Sequence, residues 1–294
     1  MLYDATGNPI PRTMFPNGEL NMSHVPFYPD GLVLKWESDE DLFHLMMVKR
    51  HLHNKHVSLR ILYMPYGRMD RDSRGGSQCS LRFVAEFIKD LGFEHIYVCD
   101  PHSELTLAYL GENASSYYPF RSFNEAPFGG LEEGEEVVVM FPDAGAQKRY
   151  GSMEMYKPYP QIAGFKKRDF ETGKITGYDI SNAECIRGKT VVIVDDLCSY
   201  GGTFVAASEE LRKFDPKQIV LVVSHCERSI FDGKLFGVPM TPDNPNWASV
   251  PEDFRYNKID HLVTTNSILT QAYVDKLPSE ISNRVHILPL IQEG

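Results

Sequence analysis

Two adjacent aspartates, Asp195 and Asp196, stand between a run of β-branched residues and a glycine loop in the stretch Val191 to Thr203, VVIVDDLCSYGGT. Successive strand residues point to opposite faces, so such a pair at a strand end can reach two hydroxyls, or a hydroxyl and a metal ion. The loop Ser199, Tyr200, Gly201, Gly202 and Thr203 lets several backbone N–H groups converge on an anion. Behind it, the apolar spacing of FVAASEELRKF predicts an amphipathic helix whose N-terminus adds positive partial charge. The chemistry on offer is the holding of a molecule that carries hydroxyls and a phosphate. An acidic pair before glycines can also be a plain strand exit. Here strand, carboxylates, loop and helix follow the order in which open α/β sheets bind ligands, which favours the cradle.

Other groups able to do chemistry sit at similar places. The predicted strand Val57 to Tyr66 runs into GRMDRDSRGGS, which brings Arg68, Asp70, Arg71, Asp72 and Arg74 to a strand's carboxyl end, where arginine can grip phosphate with two N–H groups. The strand HIYVCD leads to the turn Asp100-Pro101-His102-Ser103-Glu104. From the residues alone, His102 is either a satisfied structural histidine or a metal or phosphate contact. The strand in EEVVVMFPDAGAQKRYGSM ends at Asp143, small residues and the basic pair Lys148 and Arg149. QIAGF opens into KKRDFETGKITGYDI, with Lys166, Lys167, Arg168 and Lys174, which reads as a mobile hairpin or loop able to fold over an anion. Phe15-Pro16-Asn17-Gly18-Glu19 presents an aromatic ring, a turn and a carboxylate, and by itself reads as a hairpin with one exposed Phe.

The elements that position these groups alternate strand and helix, which argues for mainly parallel α/β sheets in two similar halves. Further strands are expected at GLVLKWE, QIVLVVSHC, HLVTTN and RVHILPL, and helices at SDEDLFHLMMVKRHLHN, with Ser38 or Asp39 as cap, and at SLRFVAEFIKDLG, with Gly92 as stop. The histidines of the first of these helices read as surface residues. The aromatic, glycine-rich stretch from about Leu110 to Glu136 divides the chain into expected domains 1–121 and 122–294. At 294 residues, 42% hydrophobic and 24% charged, the chain has the composition of a globular protein. A net charge of −10 argues against a nucleic-acid footprint or an anionic membrane surface. No apolar run reaches the roughly 20 residues of a membrane span, and MLYDATGNPIP is not a signal peptide. The scattered Cys79, Cys99, Cys185, Cys198 and Cys226 read as reduced thiols, so a cytoplasmic location is expected.

In sequence order the motifs resemble those of ribose-phosphate pyrophosphokinases (PRPP synthetases). FPNGE resembles the family's F-S-D-G-E, YMPYGRMDR its Y-x-P-Y-x-R-Q-D-R, and CDPHSE its D-x-H turn. FPDAGAQKR resembles S-P-D-x-G-x-x-K-R, KKR the K-R-R of the catalytic flexible loop, VVIVDDLCSYGGTF the PRPP loop, and TTN at 264 to 266 the T-N-T of the last sheet region. Phosphoribosyltransferases share only the PRPP loop. The resemblance implies two PRPP-synthetase/phosphoribosyltransferase-like domains and a homo-oligomer with a shared active site. It implies that ATP binds with adenine against Phe15 of a neighbouring subunit, helped by Asn17 and Glu19, with Arg68 and Asp70 on the other side. It places Mg²⁺ near His102 and Asp143, Lys166 and Arg168 over the β-phosphate, with His102 also counted among the catalytic groups, and Asp195 and Asp196 on the ribose hydroxyls. The implied reaction moves a diphosphate from ATP to the anomeric hydroxyl of ribose 5-phosphate.

Three departures stand out: Met69 replaces the family's Gln, and Ser199 and Tyr200 replace the acid and the Thr of D-T-G-G-T. Tyr is large and can stack on a base, which suits ADP-ribose as an alternative acceptor. Compact relatives of that kind occur in phage NAD⁺ salvage, where the location would be the host cytoplasm. A phosphoribosyltransferase or a non-catalytic regulator of the same fold are further alternatives; the second predicts loss of the basic loop and His turn, which are both present.

Overall fold

The computed structural model describes the chain except residues 23–24, 26–29, 54–55, 73–75, 77, 124–134, 169–174, 237–257 and 293–294, and the side chains of 166–168 and 175–176; every count below is of the described residues. The chain forms two units, Met1–Pro119 with Pro289–Gly294, and Phe120–Leu288.

The first unit runs β1 (Leu2–Asp4), β2 (Arg12–Met14), β3 (Leu20–Met22), β4 (Gly31–Leu34), α1 (Glu40–Leu52), β5 (Ser58–Ile61), α2 (Ser80–Asp90), β6 (Ile96–Cys99), α3 (Leu105–Leu110) and β7 (Ala114–Tyr117). Its sheet has the order β1-β4-β5-β6-β7, parallel from β4 to β7 with β1 antiparallel at the edge. β2 and β3 form a separate hairpin. Leu81, Ala85 and Ile88 recur at helical spacing and give α2 one buried face; Gly92, at φ +71, ends its last turn as the sequence predicts. The closing residues belong here because Ile291 packs with Tyr3, Val33 and Leu62, and Arg60 donates to the Leu290 carbonyl at 3.2 Å.

The second unit runs β8 (Val137–Phe141), α4 (Ala144–Tyr150), β9 (Gln161–Arg168), β10 (Ile175–Ile180), β11 (Thr190–Cys198), α5 (Gly202–Arg212), β12 (Gln218–Cys226), β13 (His261–Thr265), α6 (Gln271–Val274), α7 (Ser279–Ser282) and β14 (Val285–Leu288). Its sheet order is β10-β9-β8-β11-β12-β13-β14, parallel except for β10. A central parallel strand is covered on both faces, so it reads as a continuous apolar run; Val191, Val192, Ile193 and Val194 are all fully buried. Phe204, Ala207 and Leu211 of α5 join Val191 and Ile193 in the core of this unit. The expected α/β class, with two mainly parallel sheets flanked by helices, is what is observed.

Two expectations around α1 change. Asp39 occupies the N-cap position, but its carboxylate makes no cap bond; both of its oxygens accept from the Tyr66 hydroxyl, each at 2.8 Å. His44 is not a surface histidine: it is fully buried, and among the described residues neither ring nitrogen has a hydrogen-bond partner. Burial, with the charge of Arg12, pushes its pKa down to about 4.

Candidate active site

The second unit builds an acidic overhang. β11 pairs with β8 only as far as Ile193, opposite Met140, whereas its pairing with β12 continues to Cys198, opposite Cys226. Asp195 and Asp196 therefore lie within a strand that projects beyond one neighbour, rather than in the loop after it. A polar pair inside a buried strand is tolerated here because the β8 side has ended. Asp196, 5% exposed, meets Arg149 of α4 at 3.6 Å. The Asp195 carboxyl accepts the Asp196 N–H at 2.9 Å. Burial pushes its pKa well up, and the negative charges of Asp196 and Asp143 add to this. Asp143 follows β8 and caps α4, accepting the N–H groups of Gly145 at 3.0 Å and Ala146 at 3.1 Å.

A surplus of carboxylate charge of this kind is relieved by a hard divalent cation or by hydroxyl donors, and carboxylate oxygen is the donor that Mg²⁺ prefers. The residues thus fit magnesium, although no group of three or more His, Cys, Asp or Glu forms a ready cage among the described residues.

After Cys198 the chain turns through Ser199 and Tyr200 to Gly201, at φ +76, which caps α5. A side chain at Gly201 would meet more than a forbidden dihedral: its Cβ would stand 2.1 Å from Leu235 Cδ1. Glycine is required there for both reasons. At Gly202 nothing lies within 4 Å. Ser199 Oγ is engaged with Ser229 Oγ at 3.1 Å, and Ser229 donates to Glu227 at 3.2 Å. Tyr200 is 64% exposed, and Thr203 is half-buried in the first turn of α5.

In the first unit, the hairpin turn Phe15 to Glu19 is closed by Phe15 N–H to Glu19 O and Gly18 N–H to Phe15 O, both 2.8 Å, and the Asn17 side chain accepts the Glu19 N–H at 3.2 Å. Phe15, 51% exposed, and Glu19 line a cavity of about 670 Å³ with Met14, Leu20, Asp39 and Phe43. Phe43 was not singled out from the sequence, since one aromatic on a helix carries no local signal. The chain leaves β5 through Tyr66, at φ +61, and leaves β6 at Asp100, at φ +32. Left-handed backbone at a non-glycine residue costs on the order of 1–3 kcal/mol and gathers at functional sites. Asp70 and the His102 turn come together: burial raises the Asp70 pKa, but bonds from Arg71 and Ser103 and the charges of Arg71 and His102 hold it below the usual carboxylate range. Arg68, His102 and Met69 are exposed.

The structure thus gathers Asp143, Asp195 and Asp196 in one unit, and Asp70 with His102 in the other. Lys166 and Arg168 lie in β9, opposite Tyr178 and Ile175, but their side chains fall outside the described residues, as do Arg74 and Lys174. Besides Phe43, two residues escaped the sequence reading. Arg149 was seen only as half of a basic pair, and Tyr178 was not seen at all; its hydroxyl donates to Pro142 O at 2.7 Å, next to Asp143. Burial pushes the Tyr178 pKa far up, and Asp143 and Asp195 add to this.

Residues 136–252 match the family model described as the phosphoribosyl transferase domain. The ribose-phosphate pyrophosphokinase of Methanopyrus kandleri is 30% identical over 223 residues, covering 71% of this chain and 72% of that protein. That of Thermococcus kodakarensis is 28% identical over 225 residues, 74% of each, and that of Pyrococcus furiosus 30% over 172 residues, 58% of each. The solved phosphoribosylpyrophosphate synthetase of Mycobacterium smegmatis superposes with a TM-score of 0.65 over 95% of this chain and 85% of that one, at 20% identity, a likeness of fold.

Proposed function

The chain belongs to the ribose-phosphate pyrophosphokinase family, and from that premise we propose that it transfers the β,γ-diphosphate of ATP to the 1-hydroxyl of ribose 5-phosphate, giving PRPP and AMP. The observation that carries this reading is the Asp195–Asp196 overhang running directly into the left-handed Gly201 loop at the start of α5. Asp195 and Asp196 take the ribose hydroxyls, with Arg149 holding Asp196 in place. The loop N–H groups and Thr203 take the 5-phosphate. In the first unit Phe15, Asn17 and Glu19, of a neighbouring copy, face the adenine, and Arg68 and Asp70 hold the nucleotide.

Asp143 and His102 are each proposed as a Mg²⁺ ligand, and the ion would supply neutralisation of phosphate charge when bound. The acceptor O1 attacks the β-phosphorus, the bond from that phosphorus to the α–β bridging oxygen breaks, and its electron pair leaves with AMP while the hydroxyl proton is released. Lys166 and Arg168 stabilise the charge on the transferring group. Charge neutralisation and positioning suffice for this chemistry, and no side-chain nucleophile is needed. A homo-oligomer in the cytoplasm goes with this reading; no helix among the described residues is long and apolar enough to cross a membrane.

One observation favours a second acceptor. Tyr200 projects its ring at the phosphate loop, while the Ser199 hydroxyl is already engaged by a serine that is itself bonded to Glu227. A dianionic phosphate is poorly served there, and a phosphate extended by an aromatic group, as in ADP-ribose, is better served. Mass spectrometry of products from ATP with ribose 5-phosphate and with ADP-ribose decides between the two. Appearance of ADP in place of AMP would refute diphosphate transfer altogether. Consumption of PRPP with a free base and without ATP would make the protein a phosphoribosyltransferase, and inertness in every arm a regulator.

A further inference from the structure

The base of the β9–β10 hairpin is held by a contact that neither strand needs for its own pairing. Tyr178 lies on β10 opposite Lys166 of β9. Its ring crosses β9 at Gly164, where a Cβ would stand 1.9 Å from the phenolic oxygen and 2.4 Å from Cζ. Any side chain at that position would drive the ring away. Beyond Gly164 the buried hydroxyl reaches the carbonyl of Pro142, at 2.7 Å. Pro142 joins the last residue of β8 to Asp143, the cap of α4. A single hydrogen bond therefore ties β10, the backbone of β9 and the Asp143 turn together.

Packing alone does not account for this pair. A phenylalanine would fill the same space, and a glycine inside a strand weakens it unless another group must pass close by. Among the described residues no backbone N–H donates to the Pro142 carbonyl; the hydroxyl satisfies it, and the glycine makes room for it to do so. The hairpin is already registered by its own ladder and by Ser181, whose Oγ accepts the Ala163 N–H at 3.1 Å. What the tyrosine adds is a link from that hairpin to the turn bearing Asp143.

We propose that Tyr178, passing over Gly164, is a positioning residue that fixes the β9 segment Lys166–Arg168 relative to Asp143. The latch follows from geometry; its consequence for turnover rests on the diphosphate-transfer reading above. Tyr178→Phe keeps the ring and removes the bond. It is expected to lower kcat about 10-fold, with KM for ATP and ribose 5-phosphate within about twofold, and to lower melting modestly because the buried Pro142 carbonyl loses its donor. Hydrogen exchange followed by mass spectrometry is expected to quicken in peptides covering Gln161–Arg168 and Ala144–Tyr150, but not in β12.

Gly164→Ala must displace the ring and is expected to reproduce these effects in the wild-type background. In a Tyr178→Val background it is expected to add nothing, the non-additivity of groups in contact. Wild-type exchange in Tyr178→Phe overturns the latch, and so does full additivity of the two substitutions. Faster exchange spread over the whole second unit, with kcat per folded molecule unchanged, assigns Tyr178 to stability alone and also overturns the proposal. A wild-type protein that makes no AMP from ATP and ribose 5-phosphate sinks the functional reading, while the exchange data still decide the latch.

Discussion

Gly201→Ala is the substitution on which the phosphate-loop geometry can be tested most sharply. The backbone at Gly201 has φ +76, and left-handed backbone costs an L-residue roughly 1–2 kcal/mol. The added Cβ would also stand 2.1 Å from Leu235 Cδ1 and 2.7 Å from its Cγ, and Leu235 is fully buried, so it cannot simply swing into solvent. Overpacking of this kind costs about 1–3 kcal/mol, giving a sum of roughly 2–5 kcal/mol. If the loop relieves only about 2 kcal/mol of this by leaving its binding-competent form, the competent fraction falls about 30-fold and the KM for the acceptor rises in proportion. Initial rates against acceptor concentration at saturating ATP read that change, and thermal unfolding reads the remainder. Adding Leu235→Ala is expected to recover the overlap part and leave the dihedral part, so the cycle shows a favourable coupling of about 1–3 kcal/mol. Gly202→Ala, with nothing within 4 Å of its new Cβ, serves as the control and is expected to melt as wild type. A Gly201→Ala protein with wild-type melting and an acceptor KM within twofold would show that the loop is not held as described.

Three further outcomes are expected. His44 binds its proton with a pKa of about 4 when folded against 6.5 in the unfolded chain, so the unfolded state holds more protons between those values and stability falls as pH drops from about 6.5 to 4, by roughly 3 kcal/mol in all; His44→Leu should flatten that window in a pH series of denaturant melts, and an unchanged slope would refute the burial argument. Lys166→Ala or Arg168→Ala should lower turnover roughly 10²-fold, the scale of one lost transition-state donor, and near-normal turnover in both would remove β9 from the chemistry. Arg149→Met leaves Asp196 buried without that cation and should cost about 1–3 kcal/mol; Asp196→Asn in the same chain should restore melting but not activity, and a single variant as stable as wild type would mean the pair does not hold the overhang.

Much of the second sheet was legible because its strands are buried on both faces, so apolar runs such as Val191–Val194 and Val137–Phe141 announce themselves without any partner being known. What stayed hidden depends on groups far apart in the chain. That β11 continues through Asp195 and Asp196 follows from pairing with β12, Leu197 opposite His225, which no local pattern records. Asp39 has the spacing of a helix cap, yet a hydroxyl from Tyr66 takes its carboxylate. His44 sits in a helix whose charged ends suggest a surface, and only the packing around it shows otherwise. The return of Leu290 and Ile291 to the first unit is equally silent, because two apolar residues near a chain end look the same wherever they pack.

The features around the acidic overhang that the sequence left unexplained share a cause. A fold left to itself would not put two carboxylates inside a buried strand, a glycine in the middle of β9, or a tyrosine hydroxyl beside Asp143. The carboxylates and the glycine each weaken the sheet on their own, and with the tyrosine they set one constellation: Asp195 charged only at a cost, Asp143 beside it, and Tyr178 bracing the turn that carries Asp143. Sequence rules describe what stabilises elements, so they fail where residues are chosen for a ligand. Gly164 was the one visible clue, since an unexplained glycine in a strand asks what passes over it. By the same logic Tyr200 is the residue to question first when the acceptor is identified, because nothing in the stability of the second unit requires a large exposed ring at that position.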